Sequence, residues 1–122
     1  MAQRLDLPLV PSRSAPRQAR RAITELVVRT GRADLAATAA LLVSELVTNA
    51  ITHASGPIGV TAACLDGTLR VEVRDGEPAP PILRHSSAID EAGRGLAVVA
   101  HIAHAWGIFL EADGKTVWFE LN

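Results

Sequence analysis

The chain has 122 residues, a net charge of −1, 48% hydrophobic residues and 20% charged ones. That length fits one domain over residues 1–122, and the composition excludes both a disordered chain and a coat of positive charge for direct binding to nucleic acid or an anionic membrane. The single cysteine, Cys64, excludes an internal disulfide and reads as a small buried hydrophobe in a reducing compartment. The first residues lack the apolar segment of a signal peptide, and no apolar run reaches the length of a bilayer span, so the expected location is cytoplasmic.

Arg4 to Val10 alternates Leu5, Leu7 and Leu9 with Asp6 and Pro8, which predicts a short strand confined to an edge by its proline. Ser14 is the expected N-cap of a helix that tolerates Pro16 in its first turn and runs to about Arg29. Ala19, Ala22, Ile23, Leu26 and Val27 form its apolar stripe, and Arg13, Arg17, Arg20 and Arg21 lie opposite, as a solvated face or as a docking face for an acidic partner. Thr30-Gly31 ends it. Asp34 is the expected N-cap of a second helix reaching about Ala54, where Ser55-Gly56-Pro57 stops it. Ile58 to Leu65 predicts a strand, and Asp66-Gly67 a hairpin turn. In the returning strand Leu69, Val71 and Val73 alternate with Arg70, Glu72 and Arg74, up to Asp75-Gly76. Glu77 to Arg94, with Pro78, Pro80 and Pro81, reads as a long loop of the lid or binding kind. Gly93-Arg94-Gly95 opens a third helix, Leu96 to about Ala105. Trp106 to Glu111 is a strand, Asp113-Gly114 a second hairpin turn, and Val117, Phe119 and Leu121 alternate with Trp118 and Glu120 in the last strand. The order β-α-α-β-β-α-β-β predicts an α+β fold, a two-layer sandwich with a mixed, mostly antiparallel sheet and helices on one face.

Three features carry chemistry. On the second helix Glu45 and Asn49 are four apart, beside an apolar stripe of Leu42, Leu46 and Ala50, and His53 extends the row by a turn. A carboxylate and a carboxamide stacked in this way aim oxygens at one point, which suits a hydrated hard cation such as Mg²⁺, although the pair alone reads as an exposed polar edge. Asp75-Gly76 ends an alternating strand. A carboxylate there can accept a hydrogen bond from an exocyclic amine, with the glycine letting a ligand approach the backbone, or it is simply a turn aspartate. Gly93-Arg94-Gly95 at a helix start offers free amides and a guanidinium to an anion. Gly114-Lys115-Thr116 adds a cation and a hydroxyl, or ordinary turn chemistry. His101 and His104, three apart, lack a nearby third metal ligand.

In order and spacing these features resemble the ATP-binding domain of the GHKL superfamily of gyrase, heat-shock chaperone, mismatch-repair and histidine-kinase ATPases. SELVTNAITHA is similar to the N-box, VEVRDG to the first glycine box, GRGLAVVAHIAHAWG to the second, and GKTVWFEL to the closing strand. Within the superfamily the chain resembles the bacterial anti-sigma-factor serine/threonine kinases, especially the small stand-alone forms of actinobacteria. The resemblance implies ATP and Mg²⁺ as cofactors, with Asn49 coordinating the metal, Glu45 as general base, and His53 helping with phosphate. It implies that Asp75 and Gly76 receive adenine, that Gly93, Arg94, Gly95 and Leu96 cradle phosphates, and that Thr116 backs the adenine pocket through its hydroxyl and a water. The implied partners are a sigma factor and an anti-anti-sigma antagonist phosphorylated on serine, and a homodimer is allowed. Two departures point to weak ATP closure. Glu77-Pro78 replaces further glycine, and the lid segment carries only Arg84 and His85 as donors. They keep open an ATP-gated interaction module as the alternative, with a histidine-kinase-type domain acting in trans as the third reading.

Overall fold

The computed structural model describes residues 3–53, 56–77 and 87–122, and of residues 87–94 the backbone alone. The elements are β1 (Gln3–Leu9), α1 (Ala15–Arg29), a 3-10 turn (Ala33–Leu35), α2 (Ala36–His53), β2 (Ile58–Leu65), β3 (Thr68–Asp75), α3 (Ser87–Ile102), β4 (Ala105–Glu111) and β5 (Gly114–Leu121). The fold is α+β, as the element order predicts, with five strands in the order β1-β2-β3-β5-β4. The expected mixed sheet is corrected, because every neighbouring pair is antiparallel. The crossover through α3 does return β4 in the direction of β3. β5 then turns back and inserts between them, so the two parallel strands never touch.

Strand alternation assigns the two faces of the sheet. Leu9, Ile58, Val60, Ala62, Leu69, Val71, Val73, Val117, Phe119 and Leu121 form the buried row, packed beneath the helices. α1 contributes Ala15, Ala19, Ile23, Leu26 and Val27, and α2 contributes Ala39, Leu42, Val43, Leu46, Val47 and Ala50. Each large side chain buried in this way supplies about 1.5–3 kcal/mol. Cys64 ends the inward row of β2 and is buried. The opposite face is polar. There Arg70 bridges Glu72 and Glu120 and stacks 4.1 Å from the ring centre of Trp118.

The α2 segment from Ala33 to His53 is, at 21 residues, long and apolar enough to cross a bilayer, against the expectation of no such run. Its buried face accounts for that composition: the apolar side chains fill the core between α1 and the sheet.

Helix ends follow local chemistry, with some corrections. α1 closes in a Schellman motif, with Gly31 at φ 80°, its amide on the Val28 carbonyl, and the Arg32 amide on the Val27 carbonyl at 2.8 Å. Ser14 holds the N-cap position but makes no capping bond; its hydroxyl accepts from Gln18 at 2.9 Å. Asp34 does not cap α2. It lies in the 3-10 turn, gripped by the Arg32 fork at 2.9 and 3.0 Å, and that bond holds its carboxyl below the usual range. Arg32 also donates to the Gly67 carbonyl, tying this turn to the β2–β3 hairpin. Asp66 and Gly67 both have positive φ, the signature of a two-residue hairpin turn. The second turn is Ala112-Asp113, one residue earlier than expected, since Glu111 already pairs with Gly114.

The largest correction concerns α3. It starts at Ser87 rather than Leu96, so Gly93, Arg94 and Gly95 lie inside a helix and not at its first turn. Amides there are taken by the helix's own ladder, and the free N-terminal donors of an anion site are not at these residues. The expected lid falls largely on residues 78–86, outside those described.

Candidate functional site

α2 and α3 meet where the sequence placed the N-box beside the second glycine box. Glu45, Asn49 and His53 line up on one side of α2, each half-buried, at the border of its apolar stripe. α3 faces them with Gly95. A β-carbon there would lie 3.0 Å from Asn49 Nδ2, 3.1 Å from Glu45 Oε2 and 3.4 Å from Asn49 Oδ1. The carboxylate and the carboxamide therefore converge on one patch of α3 backbone, which glycine leaves open.

Below this contact lies a hollow lined by Leu46, Asn49, Ala50, His53, Leu96, Val73, Val117, Asp75 and Lys115. It joins three of the expected stretches: the N-box, the end of β3, and the second glycine box through Leu96. Its free volume is only about 10 Å³, room for about one water. A nucleotide enters only if the walls move.

What closes the floor is Lys115, which the sequence offered as a cation or as ordinary turn chemistry. The inward row of β3 continues from Val73 to Asp75, and that of β5 from Val117 to Lys115, so the two charged residues sit opposite each other beneath the helices. Asp75 is 5% exposed and Lys115 4%. The ammonium lies 3.1 Å from Asp75 Oδ1, 3.0 Å from Oδ2 and 3.3 Å from the Glu77 carbonyl oxygen. The Glu77 amide donates to Asp75 Oδ1 at 2.8 Å, an Asx-type turn. Gly114 permits this close pairing, because a β-carbon there would fall 2.2 Å from the Asp75 carbonyl oxygen. Parity was the available signal for Lys115: it continues the alternation Leu121, Phe119, Val117.

The same parity displaces Thr116. It pairs with Arg74 and Phe109 on the opposite face of the sheet, where it is itself buried, and it does not line the hollow. Gly76 is exposed beyond the end of β3, on a shallow groove with Pro8, Pro57 and Asp113. The Arg94 side chain lies outside what is described. His101 and His104 are both exposed. Among the described residues no three metal-ligating side chains cluster, so any cation held here would rely on Asn49 and on ligand oxygens. Roomier hollows lie elsewhere, such as the 140 Å³ saddle around Arg4, Thr61, Arg70 and Glu72, where Arg70 is already paired with Glu72 and Glu120.

Two observations test whether the hollow fits a metal–nucleotide. His53 Nε2 is buried with no hydrogen-bond partner among the described residues, in a wall of the hollow. A buried polar atom left in that way asks for a partner that a ligand can supply. Gly95 lets the Glu45 and Asn49 side chains come up against the α3 backbone, next to Leu96 of the hollow. The residues fit.

A family model described as histidine kinase-like ATPase domain matches residues 11–121. The chain belongs to that family, and the fold with its α2–α3 hollow is that of a GHKL-type ATP-binding domain. A comparison with curated proteins gave no match.

Proposed function

We propose that the protein is an ATP-binding regulator of the anti-sigma-factor kinase type, which transfers the γ-phosphate of ATP to a serine of an antagonist protein. The observation that carries this reading is the convergence of Glu45 and Asn49 on the bare backbone of Gly95, with Asn49 also lining the hollow that holds Asp75. Asn49 would hold Mg²⁺ through its side-chain oxygen, and the metal would supply charge neutralisation on the phosphates. Asp75 receives the base, and His53 donates toward the phosphate end. Glu45 accepts the proton of the serine hydroxyl as that oxygen attacks the γ-phosphorus and the bond to the bridging oxygen breaks. Phosphoryl transfer asks the protein mainly for positioning and charge stabilisation, which this short set of groups can provide. Arg13 and Arg17, exposed near the start of α1, suit an acidic partner such as a sigma factor.

The test is incubation with γ-labelled ATP, Mg²⁺ and candidate antagonist proteins. Acid-stable phosphoserine on an antagonist supports the reading, and label on none of them overturns it. Acid-labile label would instead mark a histidine kinase acting in trans. One observation favours a second reading, an ATP-gated interaction module with little transfer: the hollow is closed around the Asp75–Lys115 pair. Calorimetric binding of Mg·ATP without transfer to any antagonist would select it.

A further inference from the structure

We propose that Lys115 sets both the affinity and the base selectivity of the pocket, by holding its ammonium where a nucleobase amine would be read. The inference rests on the nucleotide-binding reading above. Three N–H donors of the ammonium meet three acceptor contacts, two on the Asp75 carboxylate and one on the Glu77 carbonyl. Among the described residues the hollow beside the ion pair admits about one water, so a further donor reaches Asp75 only if Lys115 moves.

The two partners are anchored unequally. Asp75 is fixed by the Glu77 amide at 2.8 Å, a bond that does not involve Lys115. Lys115 has a long flexible stem and can carry its charge out to water. An exocyclic amine arriving at Asp75 therefore finds the carboxylate still in place, and replaces one charge-assisted hydrogen bond by another. The departing ammonium regains its hydration. Removing one partner of a buried pair is costly only when the other is left alone, and in this exchange it is not. Both remaining contacts of the pair, the amide to Asp75 and the carbonyl to Lys115, come from the backbone of Glu77.

Selectivity follows from the same geometry. With Lys115 seated, its donors are engaged and the carboxylate is covered, so the floor favours neither an amine nor a keto oxygen. With Lys115 displaced, the floor presents a carboxylate, which accepts from the amine of adenine. The seated state predominates, so observed ATP affinity is lowered by the fraction of molecules in which Lys115 has moved. For a minor state populated at about 10% or less, that reduction is at least about tenfold.

The experiment compares wild type with Lys115→Met by calorimetry, using Mg·ATP and Mg·GTP, with a thermal melt of each protein. The expected result is a lower melting temperature for the variant, ATP binding at least about tenfold tighter, and a larger preference for ATP over GTP. Wild-type binding that the variant leaves unchanged or weakens overturns the role of Lys115 and leaves the nucleotide reading standing. Absence of ATP binding in both proteins overturns the nucleotide reading and this inference with it. Should Lys115→Met fail to fold, wild type supplies its own probe, because Lys115 is the only lysine in the chain. Its modification by an amine-reactive reagent, mapped by mass, is slow without nucleotide and faster at saturating Mg·ATP under the proposal. A rate that stays the same or falls overturns it.

Discussion

Replacing Gly95 by alanine separates folding from ligand binding in a way that can be worked out from the structure. Gly95 lies within α3 and has no positive φ, so its backbone accepts a side chain. Glycine to alanine in a helix interior gains about 0.8–1 kcal/mol. Against this stands the new β-carbon, 3.0 Å from Asn49 Nδ2 and 3.1 Å from Glu45 Oε2. Both neighbours are the far ends of flexible side chains and must yield by a few tenths of an ångström, at roughly 0.5–1.5 kcal/mol if a rotamer is strained. The two terms nearly cancel. Gly95→Ala should melt within about 4 °C of wild type, since about 1 kcal/mol corresponds to a few degrees for a domain of this size. Its methyl group, however, fills the seam between α3 and the oxygens of Glu45 and Asn49, and Mg·ATP affinity should fall by about tenfold or more, about 1.4 kcal/mol. Scanning fluorimetry reads the first quantity and calorimetry the second. Unchanged ATP affinity would refute the argument that the glycine is kept for a ligand, and a drop of ~10 °C or more would show that it is kept for packing.

Glu45→Gln should bind Mg·ATP like wild type and lose phosphoryl transfer by about 100-fold or more in a single-turnover assay, as expected for a general base. Asn49→Ala should lose the Mg²⁺-dependent part of ATP affinity, measured by titration with and without EDTA. Thr116→Val should leave ATP affinity unchanged by calorimetry, because Thr116 lies on the sheet face opposite the hollow; a loss would restore its expected role behind the adenine. Asp34 titrates below the ordinary carboxylate range because Arg32 bonds its charged form. A depressed folded pKa adds stability that is present above the unfolded pKa and lost as pH falls through the folded one. An NMR titration should place Asp34 below an unfolded reference peptide, and Arg32→Ala should abolish the difference.

The strands, α1 and α2 were legible because their periodicities do not compete: alternation marks β2, β3 and β5, and three- and four-residue spacing marks α1 and α2. The start of α3 was misread because Gly93 and Gly95 look like a break. In the structure Gly95 lies inside α3 with its bare backbone facing Glu45 and Asn49 of α2, a tertiary relation that local propensity does not show. A competing start signal existed in Ser87-x-x-Asp90, the spacing of a helix-opening box. The shared face of Glu45 and Asn49 and the strand-end position of Asp75 were legible from spacing because α2 and β3 have unambiguous faces. Lys115 was named as a cation but not placed in the site, and Thr116 was, because the family motif was followed and the inward alternation of Leu121, Phe119 and Val117 was not carried one step further to Lys115. The antiparallel insertion of β5 was beyond sequence reading, since it depends on which of two hairpin strands docks on β3, a choice made by packing under α2 and α3.

That insertion makes the two margins of the sheet unequal. β1 has one neighbour, and losing it would uncover one side of β2. β5 has two, and is the sole link between β4 and the other strands. Deleting Gly114–Leu121 would cut both ladders at once, orphan an entire strand and strip Phe119 from the interior. Tolerance to trimming should therefore be steeply lopsided, lenient ahead of Arg4 and abrupt from Leu121 inward.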